Sequence, residues 1–159
     1  MLRTKRTIEN IGSLNKKAQK AFEPFLCATE AFLGAQGVSV EVISGLRSWQ
    51  AQAALYAQGR TKPGPIVTNA RPGSSWHNYG LAIDLGLFKA KKYIDESNPK
   101  EANRLYSQIG KIAAQYGIEW GGSWATFKDI PHFQVTFGKS LAEMRSKMET
   151  VGYDINKLV

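Results

Sequence analysis

The sequence predicts an α+β fold, in which a small antiparallel sheet carries a cleft on one face and helices on the other. Helical and strand-like segments follow one another without the regular strand–helix–strand rhythm of a parallel sheet. Two segments, residues 80–88 and 132–137, alternate bulky apolar residues with small or polar ones, as half-buried strands do. The chain has 159 residues, of which 43% are hydrophobic, and this fits one domain with a single core.

The N-terminal half predicts a helix, a strand and a second helix. Apolar residues at helical spacing define the first helix: Ile8, Ile11, Leu14, Ala18, Phe22, Phe25, Leu26 and Phe32. Pro24 is expected to kink or split it. The alternating segment VSVEVIS, residues 38–44, predicts a strand. Ser48 and Gly59 bracket a short helix, and a loop rich in proline and glycine follows it.

The C-terminal half predicts a strand, a helix, a hairpin or meander, and a last helix. The strand is GLAIDLGLF, and Asn98 caps the helix that Pro99 opens. Two glycines separate the strand-like segments IEW and HFQVTF. Ser140 and Glu143 form the capping box of the last helix, which Gly152 closes.

The two strands with alternating patterns share one design. The side chains expected on the core face are Leu81, Ile83 and Leu85 in one strand, and Phe133, Val135 and Phe137 in the other. The opposite face is left with Gly80, Ala82 and Asp84, and with His132, Gln134 and Thr136. If the strands are neighbours, Asp84 and His132 converge. His77 lies in the loop just before its strand, with room to join them.

Two imidazoles and one carboxylate form the three-ligand set typical of catalytic zinc, in which a fourth position stays open for water. Hydrolysis also requires a general base near that water. Asp129 is the candidate, because Pro131 favours an extended segment that brings Asp129 to the rim of the cleft. Alternatively, each histidine is a hydrogen-bonded structural residue and Asp129 is a turn residue. An unpaired carboxylate at Asp84 would be costly beside a core strand.

Charge narrows the choice of partners without deciding it. The net charge of +8 suits a polyanion, namely nucleic acid, anionic lipid or acidic cell-wall polymer, or it serves solubility alone. No nucleic-acid-binding motif is visible, and no segment approaches the ~20 apolar residues of a membrane span. The basic N-terminus has no apolar segment behind it, so we expect synthesis in the cytoplasm without a signal peptide.

The motif S-x-H-x-x-G-x-A-x-D at residues 75–84, followed by D-x-x-H at residues 129–132, resembles the zinc signature of the D-Ala-D-Ala carboxypeptidase-like metallopeptidases, the VanY-type group that also contains the hedgehog domain. More narrowly, SGLRSWQAQAALYAQGRTKPGPIVTNARPGSSWHNYGLAIDL and WGGSWATFKDIPHFQV look like the L-alanyl-D-glutamate endopeptidases of phage endolysins and bacterial cell-wall hydrolases. The resemblance covers about residues 38–137.

The resemblance implies one Zn²⁺ per chain, bound by His77, Asp84 and His132, with Asp129 as the catalytic acid and base. It gives Arg47 a place beside the metal, where a guanidinium binds substrate or stabilises an oxyanion.

The resemblance also places Gln52 and Ser75 among residues that contact substrate or support the site. Trp124 either lines the cleft, where it would contact substrate, or packs in the core. D-Ala-D-Ala carboxypeptidases usually carry Glu at the position of Asp129, whereas the L-Ala-D-Glu group carries Asp. We therefore expect Asp129→Glu to impair activity without removing zinc.

These inferences predict a zinc-dependent peptidoglycan hydrolase that cleaves the L-Ala–D-Glu bond of murein stem peptides. The expected setting is a phage or prophage endolysin, a monomer that acts on the cell wall after release and neither binds nucleic acid nor inserts into membranes. Residues 1–159 are expected to form one catalytic domain without a separate wall-binding domain. Three alternatives remain: a D-Ala-D-Ala carboxypeptidase or dipeptidase, a non-catalytic zinc-binding module, and a basic nucleic-acid-binding domain.

Overall fold

The structure, a computed structural model, describes residues 2–159. Within that range the chain forms six α-helices: α1 (Lys5–Gly12), α2 (Lys16–Gly34), α3 (Trp49–Ala57), α4 (Ile94–Ser97), α5 (Pro99–Gln115) and α6 (Leu141–Thr150). The strands of the same range are β1 (Val38–Ser44), β2 (Ala82–Lys89), β3 (Lys92–Tyr93), β4 (Glu119–Trp120) and β5 (His132–Gln134). Short 3₁₀ helices cover Trp76–Tyr79, Gly121–Ser123 and Ile155–Lys157.

All five strands belong to one antiparallel sheet, which confirms the predicted α+β class. The order is β1-β2-β5-β4, and the short strand β3 pairs with β2. The predicted pairing of the IEW and HFQVTF segments is confirmed, because β4 lies beside β5. The register of β2 and β5 sets Asp84 directly opposite His132. This pairing is the feature of the fold that positions the site.

The core lies between one face of the sheet and helices α2 and α5. Leu81, Ile83 and Leu85 are fully buried on that face, as the alternation predicts. Phe25 of α2 packs on Phe133 of β5 with ring centroids 5.3 Å apart. Helix α5 supplies further fully buried residues, Leu105, Tyr106 and Ile109. Burial of this apolar surface stabilises the sheet and leaves its opposite face free for polar side chains.

The predicted helix caps are confirmed at three positions. Ser48 accepts a hydrogen bond from the amide of Ala51, and Asn98 accepts one from that of Glu101. Ser140 and Glu143 form both bonds of a capping box. Each cap satisfies a backbone donor that the helix leaves without a partner, and such caps typically contribute about 1 kcal/mol.

The N-terminal helix is split, but the predicted split at Pro24 is wrong. The helix is interrupted at residues 13–15, where Asn15 caps α2 by accepting hydrogen bonds from the amides of Lys17 and Ala18. Helix α2 then continues through Pro24 to Gly34. Proline removes one ladder hydrogen bond, but the fully buried side chains around it, such as Phe22, hold the helix on the core.

Two apolar residues of the sequence patterns are exposed, Ile8 of the first helix and Phe137, which was predicted to lie on the core face. Ile8 is 59% exposed, because α1 contacts β1 through its polar neighbour Thr7, whose hydroxyl accepts a hydrogen bond from the amide of Val42. Phe137 is 41% exposed, because β5 ends at Gln134 and the strand alternation ends with it. Among residues 2–159, no helix has the length and apolar character that crossing a bilayer requires.

Candidate metal centre

Three side chains converge on the polar face of the sheet. Nε2 of His77 lies 3.2 Å from Oδ1 of Asp84 and 3.2 Å from Nδ1 of His132. The third side of the triangle, from Nδ1 of His132 to Oδ1 of Asp84, is 3.3 Å. Both histidines are buried, and the Asp84 side chain is 18% exposed. The set can therefore hold a metal ion that still faces the cleft.

His77 lies in a short helix and is held by a hydrogen bond, instead of lying in a free loop. It belongs to the 3₁₀ helix Trp76–Tyr79, which ends at Gly80 with a positive φ of 65°. Its Nδ1 donates to the carbonyl oxygen of Gly45 at 2.8 Å, since a carbonyl can only accept. Nε2 then carries no proton in the neutral ring and directs its lone pair toward Asp84 and His132.

His132 turns the opposite ring nitrogen toward the centre. Its Nε2 lies 2.9 Å from Oε1 of Gln134, which accepts the ring proton. Nδ1 is therefore the inward atom. The three atoms that meet are all electron-pair donors, and such a group is stable only with protons or a cation between them.

The separations fit one tetrahedral zinc ion. Zn–N and Zn–O bonds of about 2.0–2.2 Å at tetrahedral angles place neighbouring ligand atoms about 3.3–3.5 Å apart. The three separations in the structure, 3.2, 3.2 and 3.3 Å, lie at or just below this range. Two imidazoles with one carboxylate also match the ligand types that zinc takes in catalytic sites.

Electrostatics around the centre favour a bound cation. Burial alone would raise the pKa of Asp84, but in the absence of a metal His132 and His77 in their protonated forms donate to the carboxylate and lower its pKa well below the usual range. Burial would lower the pKa of His132, but the hydrogen bond and charge of Asp84 raise it above the ordinary value. Asp84 is thus a carboxylate at neutral pH.

Arg47 lies next to the centre on the segment after β1. Its Nη2 is 3.8 Å from Oδ2 of Asp84, the carboxylate oxygen that does not face the histidines. Nη1 donates to Oε1 of Gln52 at 3.1 Å, and Nη2 donates to the hydroxyl of Ser44 at 3.3 Å. These contacts fix the plane of the guanidinium.

Gln52 is fully buried, and its contacts are with protein groups. Besides accepting from Arg47, its amide donates to the carbonyl of Ala70 at 2.8 Å. Gln52 thus connects Arg47 to the loop that borders the cleft. Because it is buried and bonded to protein groups, it supports the guanidinium and does not contact substrate directly.

Asp129 lies on the exposed rim of the same cleft. Its backbone is tied to the centre: its carbonyl accepts from the amide of His132, and its amide donates to Gly121. A Cβ at Gly121 would lie 2.5 Å from the carbonyl oxygen of Asp129, so only glycine permits this approach. Within residues 2–159, no hydrogen bond or ion pair engages the Asp129 carboxylate.

The pKa of Asp129 is raised above its ordinary value. Partial desolvation of the carboxyl group by the surrounding cleft is the main cause, and it outweighs the lowering by His132, His77 and Arg47, while the charge of Asp84 raises the pKa further. A free carboxylate with a raised pKa suits proton transfer.

The cleft around the centre has a volume of about 970 Å³. Ser75 and Trp124, both predicted to contact substrate, line it, and the Trp124 ring lies 5.3 Å from that of His132. Exposed apolar residues border it as well, namely Ile66, Val67 and Phe127. A cleft of this size admits an extended peptide, not only a water molecule.

Sequence reasoning missed Glu119 as a site residue and left Gln134 without a role. Gln134 bridges Glu119 and His132, because its Nε2 donates to Oε2 of Glu119 at 3.1 Å while its Oε1 accepts from His132. The signal available was the strand pattern, which placed Gln134 two residues from His132 on the same face. Glu119 lies in the predicted strand-like segment IEW, but this segment is too short to show which of its residues lies beside Gln134.

Known proteins match the part of the chain that contains these residues. The family described as D-alanyl-D-alanine carboxypeptidase matches residues 68–135, which include all three converging residues and Asp129. A peptidoglycan L-alanyl-D-glutamate endopeptidase of Bacillus subtilis, CwlK, is 43% identical over 112 residues, which cover 68% of this chain and 67% of CwlK.

Two further relatives extend the match to most of the chain. An L-alanyl-D-glutamate peptidase of Listeria phage A118 is 25% identical over 96% of this chain, which spans 52% of that protein. The crystal structure of the L-Ala D-Glu endopeptidase ChiX of Serratia marcescens superposes with a TM-score of 0.59 at 25% identity, over 86% of this chain and 91% of ChiX.

Proposed function

The chain belongs to the family of peptidoglycan L-alanyl-D-glutamate endopeptidases, and from this premise we propose how its cleft hydrolyses the peptide bond between L-alanine and D-glutamate in murein stems. The observation that carries the proposal is the triangle of three inward electron-pair donors beside the free carboxylate of Asp129.

His77, Asp84 and His132 would hold one Zn²⁺ through Nε2, Oδ1 and Nδ1 respectively. When bound, zinc supplies a Lewis acid that activates water and polarises the scissile carbonyl. Three protein ligands would leave a coordination position for water or substrate.

Asp129 takes the proton of the attacking water and then delivers it to the leaving amine of D-glutamate. Its carboxylate suits this exchange because it has no competing protein partner in the described chain. Arg47 donates to the oxyanion that develops on the carbonyl oxygen, and Gln52 and Ser44 orient its guanidinium for this task. Ser75 and Trp124 contact the stem peptide along the cleft.

Product analysis on purified murein tests the proposal. We expect wild-type protein to release peptides with a new N-terminal D-glutamate, and Asp129→Ala to release none at the same protein concentration. Release of free D-alanine without new D-glutamate termini would instead identify a D-Ala-D-Ala carboxypeptidase. If neither product forms while zinc binds stoichiometrically, the chain is a non-catalytic zinc-binding module.

We also propose a role in host lysis, supported by the similarity to the Listeria phage peptidase over nearly the whole chain. Wild-type protein added to permeabilised bacteria should reduce their turbidity, whereas Asp129→Ala should not. Clearing by both proteins alike would show that lysis does not depend on peptide cleavage.

A further inference from the structure

We propose that Glu119 is a positioning residue that fixes the tautomer of the metal ligand His132 through Gln134. The inference rests on the metal centre of the proposed function and adds a residue that the zinc motif does not contain. Glu119 lies on β4, directly opposite Gln134 of β5 in the sheet register. The side chains of Glu119, Gln134 and His132 form a continuous hydrogen-bonded chain.

The carboxylate of Glu119 decides which group donates in each of these hydrogen bonds. A carboxylate has no hydrogen to donate, so Oε2 of Glu119 must accept from Gln134. The amide nitrogen of Gln134 therefore faces Glu119, at 3.1 Å, and its carbonyl oxygen faces His132. Gln134 is buried, at 4% exposed, so water does not compete freely for its amide.

The orientation of Gln134 then decides which nitrogen of His132 carries the proton. The amide oxygen lies 2.9 Å from Nε2 of His132 and accepts a hydrogen bond there. Nε2 is protonated as a result, and Nδ1 keeps its lone pair on the side of Asp84 and His77. Glu119 thus selects the only neutral tautomer that can bind a metal through Nδ1.

The second carboxylate oxygen of Glu119 links these hydrogen bonds to the wall of the cleft. Oε1 accepts from the indole nitrogen of Trp124 at 2.5 Å, and the Trp124 ring lies 5.3 Å from the ring of His132. Both carboxylate oxygens of Glu119 therefore accept a hydrogen bond, Oε2 from the buried amide of Gln134 and Oε1 from the indole of Trp124 in the cleft.

Replacing Glu119 by Gln removes the preference for the His132 tautomer that is protonated on Nε2. If the new amide turns its oxygen toward Trp124, its nitrogen faces Gln134, whose amide must reverse. Gln134 then donates to Nε2 of His132, and the proton moves to Nδ1, where it blocks the metal. If the new amide turns the other way, its nitrogen opposes the indole N–H of Trp124 and one donor is left without a partner.

A double exchange, Glu119→Gln with Gln134→Glu, restores every hydrogen bond. Trp124 donates to the oxygen of the new amide, whose nitrogen donates to the new carboxylate. That carboxylate accepts from Nε2 of His132, so Nδ1 is again free for the metal. A merely structural role for Glu119 would not predict this rescue.

Zinc affinity and the imidazole ¹⁵N spectrum of the metal-free protein test the proposal together. We expect Glu119→Gln to weaken zinc binding about 10- to 100-fold, the usual effect of losing a group that orients a metal ligand. Its His132 resonances should shift toward the tautomer protonated on Nδ1. The double variant should recover most of the affinity and the wild-type tautomer. Glu101→Gln makes the same chemical change on the exposed side of α5 and should match wild type.

Wild-type affinity and tautomer in Glu119→Gln would overturn the inference, as would a double variant that binds zinc no better than Glu119→Gln. His77→Ala separates this failure from that of the proposed function. If His77→Ala retains wild-type zinc affinity, the metal centre itself is misplaced. If His77→Ala loses zinc while Glu119→Gln retains it, only the role of Glu119 is refuted.

Discussion

Nε2 of His77 and Nδ1 of His132 lie 3.2 Å apart, although 55 positions separate the two residues in the chain. A hydrogen bond from the opposite ring nitrogen orients each histidine: His77 donates to Gly45, and His132 donates to Gln134. Gly45 follows β1 and Gln134 ends β5, so the two lone pairs meet only when the whole sheet is folded. Metal binding and folding are therefore coupled.

This coupling predicts that zinc raises the melting temperature of wild-type protein but not that of Asp84→Asn. The amide that this substitution introduces retains the size of the carboxylate but lacks its negative charge, so the site loses most of its affinity. At free zinc 100-fold above the dissociation constant, the stabilisation amounts to about 2.7 kcal/mol. Thermal denaturation with and without chelator measures the difference. Asp154→Asn, the same change at a half-buried residue outside the centre, should respond to zinc like wild type.

Substitutions of Asp129 should separate catalysis from metal binding. Removal of a general base typically costs about 10²–10⁴-fold in rate, so Asp129→Ala should lose murein cleavage by that order. Asp129→Glu should also be impaired, because one more methylene displaces the carboxylate from the attacking water. Both variants should bind zinc as wild type does. Full activity in Asp129→Glu would show that the reach of this side chain is not critical.

Arg47→Lys should lower the turnover number without lowering zinc content. Lysine retains the positive charge near Asp84 but cannot reproduce the planar fork that Gln52 and Ser44 orient. Loss of one oxyanion donor typically costs about 10²–10³-fold in turnover. Steady-state kinetics on a soluble murein peptide measure it, with Arg104→Lys on the exposed side of α5 as control. A rise in KM with unchanged turnover would instead assign Arg47 to substrate binding alone.

The sequence was sufficient to predict the strands that carry the centre, and less informative about what surrounds it. Asp84 stands out because a carboxylate inside an apolar strand needs a partner, and the alternation puts His132 on the matching face. The pairing of the IEW and HFQVTF segments was predictable, but the register that sets Glu119 opposite Gln134 was not, because so short a strand does not show which residues face each other. The break before α2 was misplaced for a related reason: the cap at Asn15 outweighs a proline that core packing tolerates.

Gly110 on α5 and Gly122 beside β4 enclose the ring of Trp120, and we predict that Gly110→Ala destabilises the protein. A Cβ at Gly110 would lie 2.3 Å from the Trp120 ring, and one at Gly122 would lie 2.1 Å from it. Alanine normally favours a helix by about 0.8–1.0 kcal/mol over glycine, but overpacking of this kind typically costs about 1–3 kcal/mol. The clash therefore decides the sign. Chemical denaturation measures the change, and Gly34→Ala, at the end of α2 with no atom within 4 Å of its added Cβ, is the matched control and should not destabilise. Trp120 is the neighbour of Glu119 on β4, so displacement of its ring in Gly110→Ala should also weaken zinc binding. If Gly110→Ala is destabilised but binds zinc as wild type does, the position of Glu119 does not depend on Trp120.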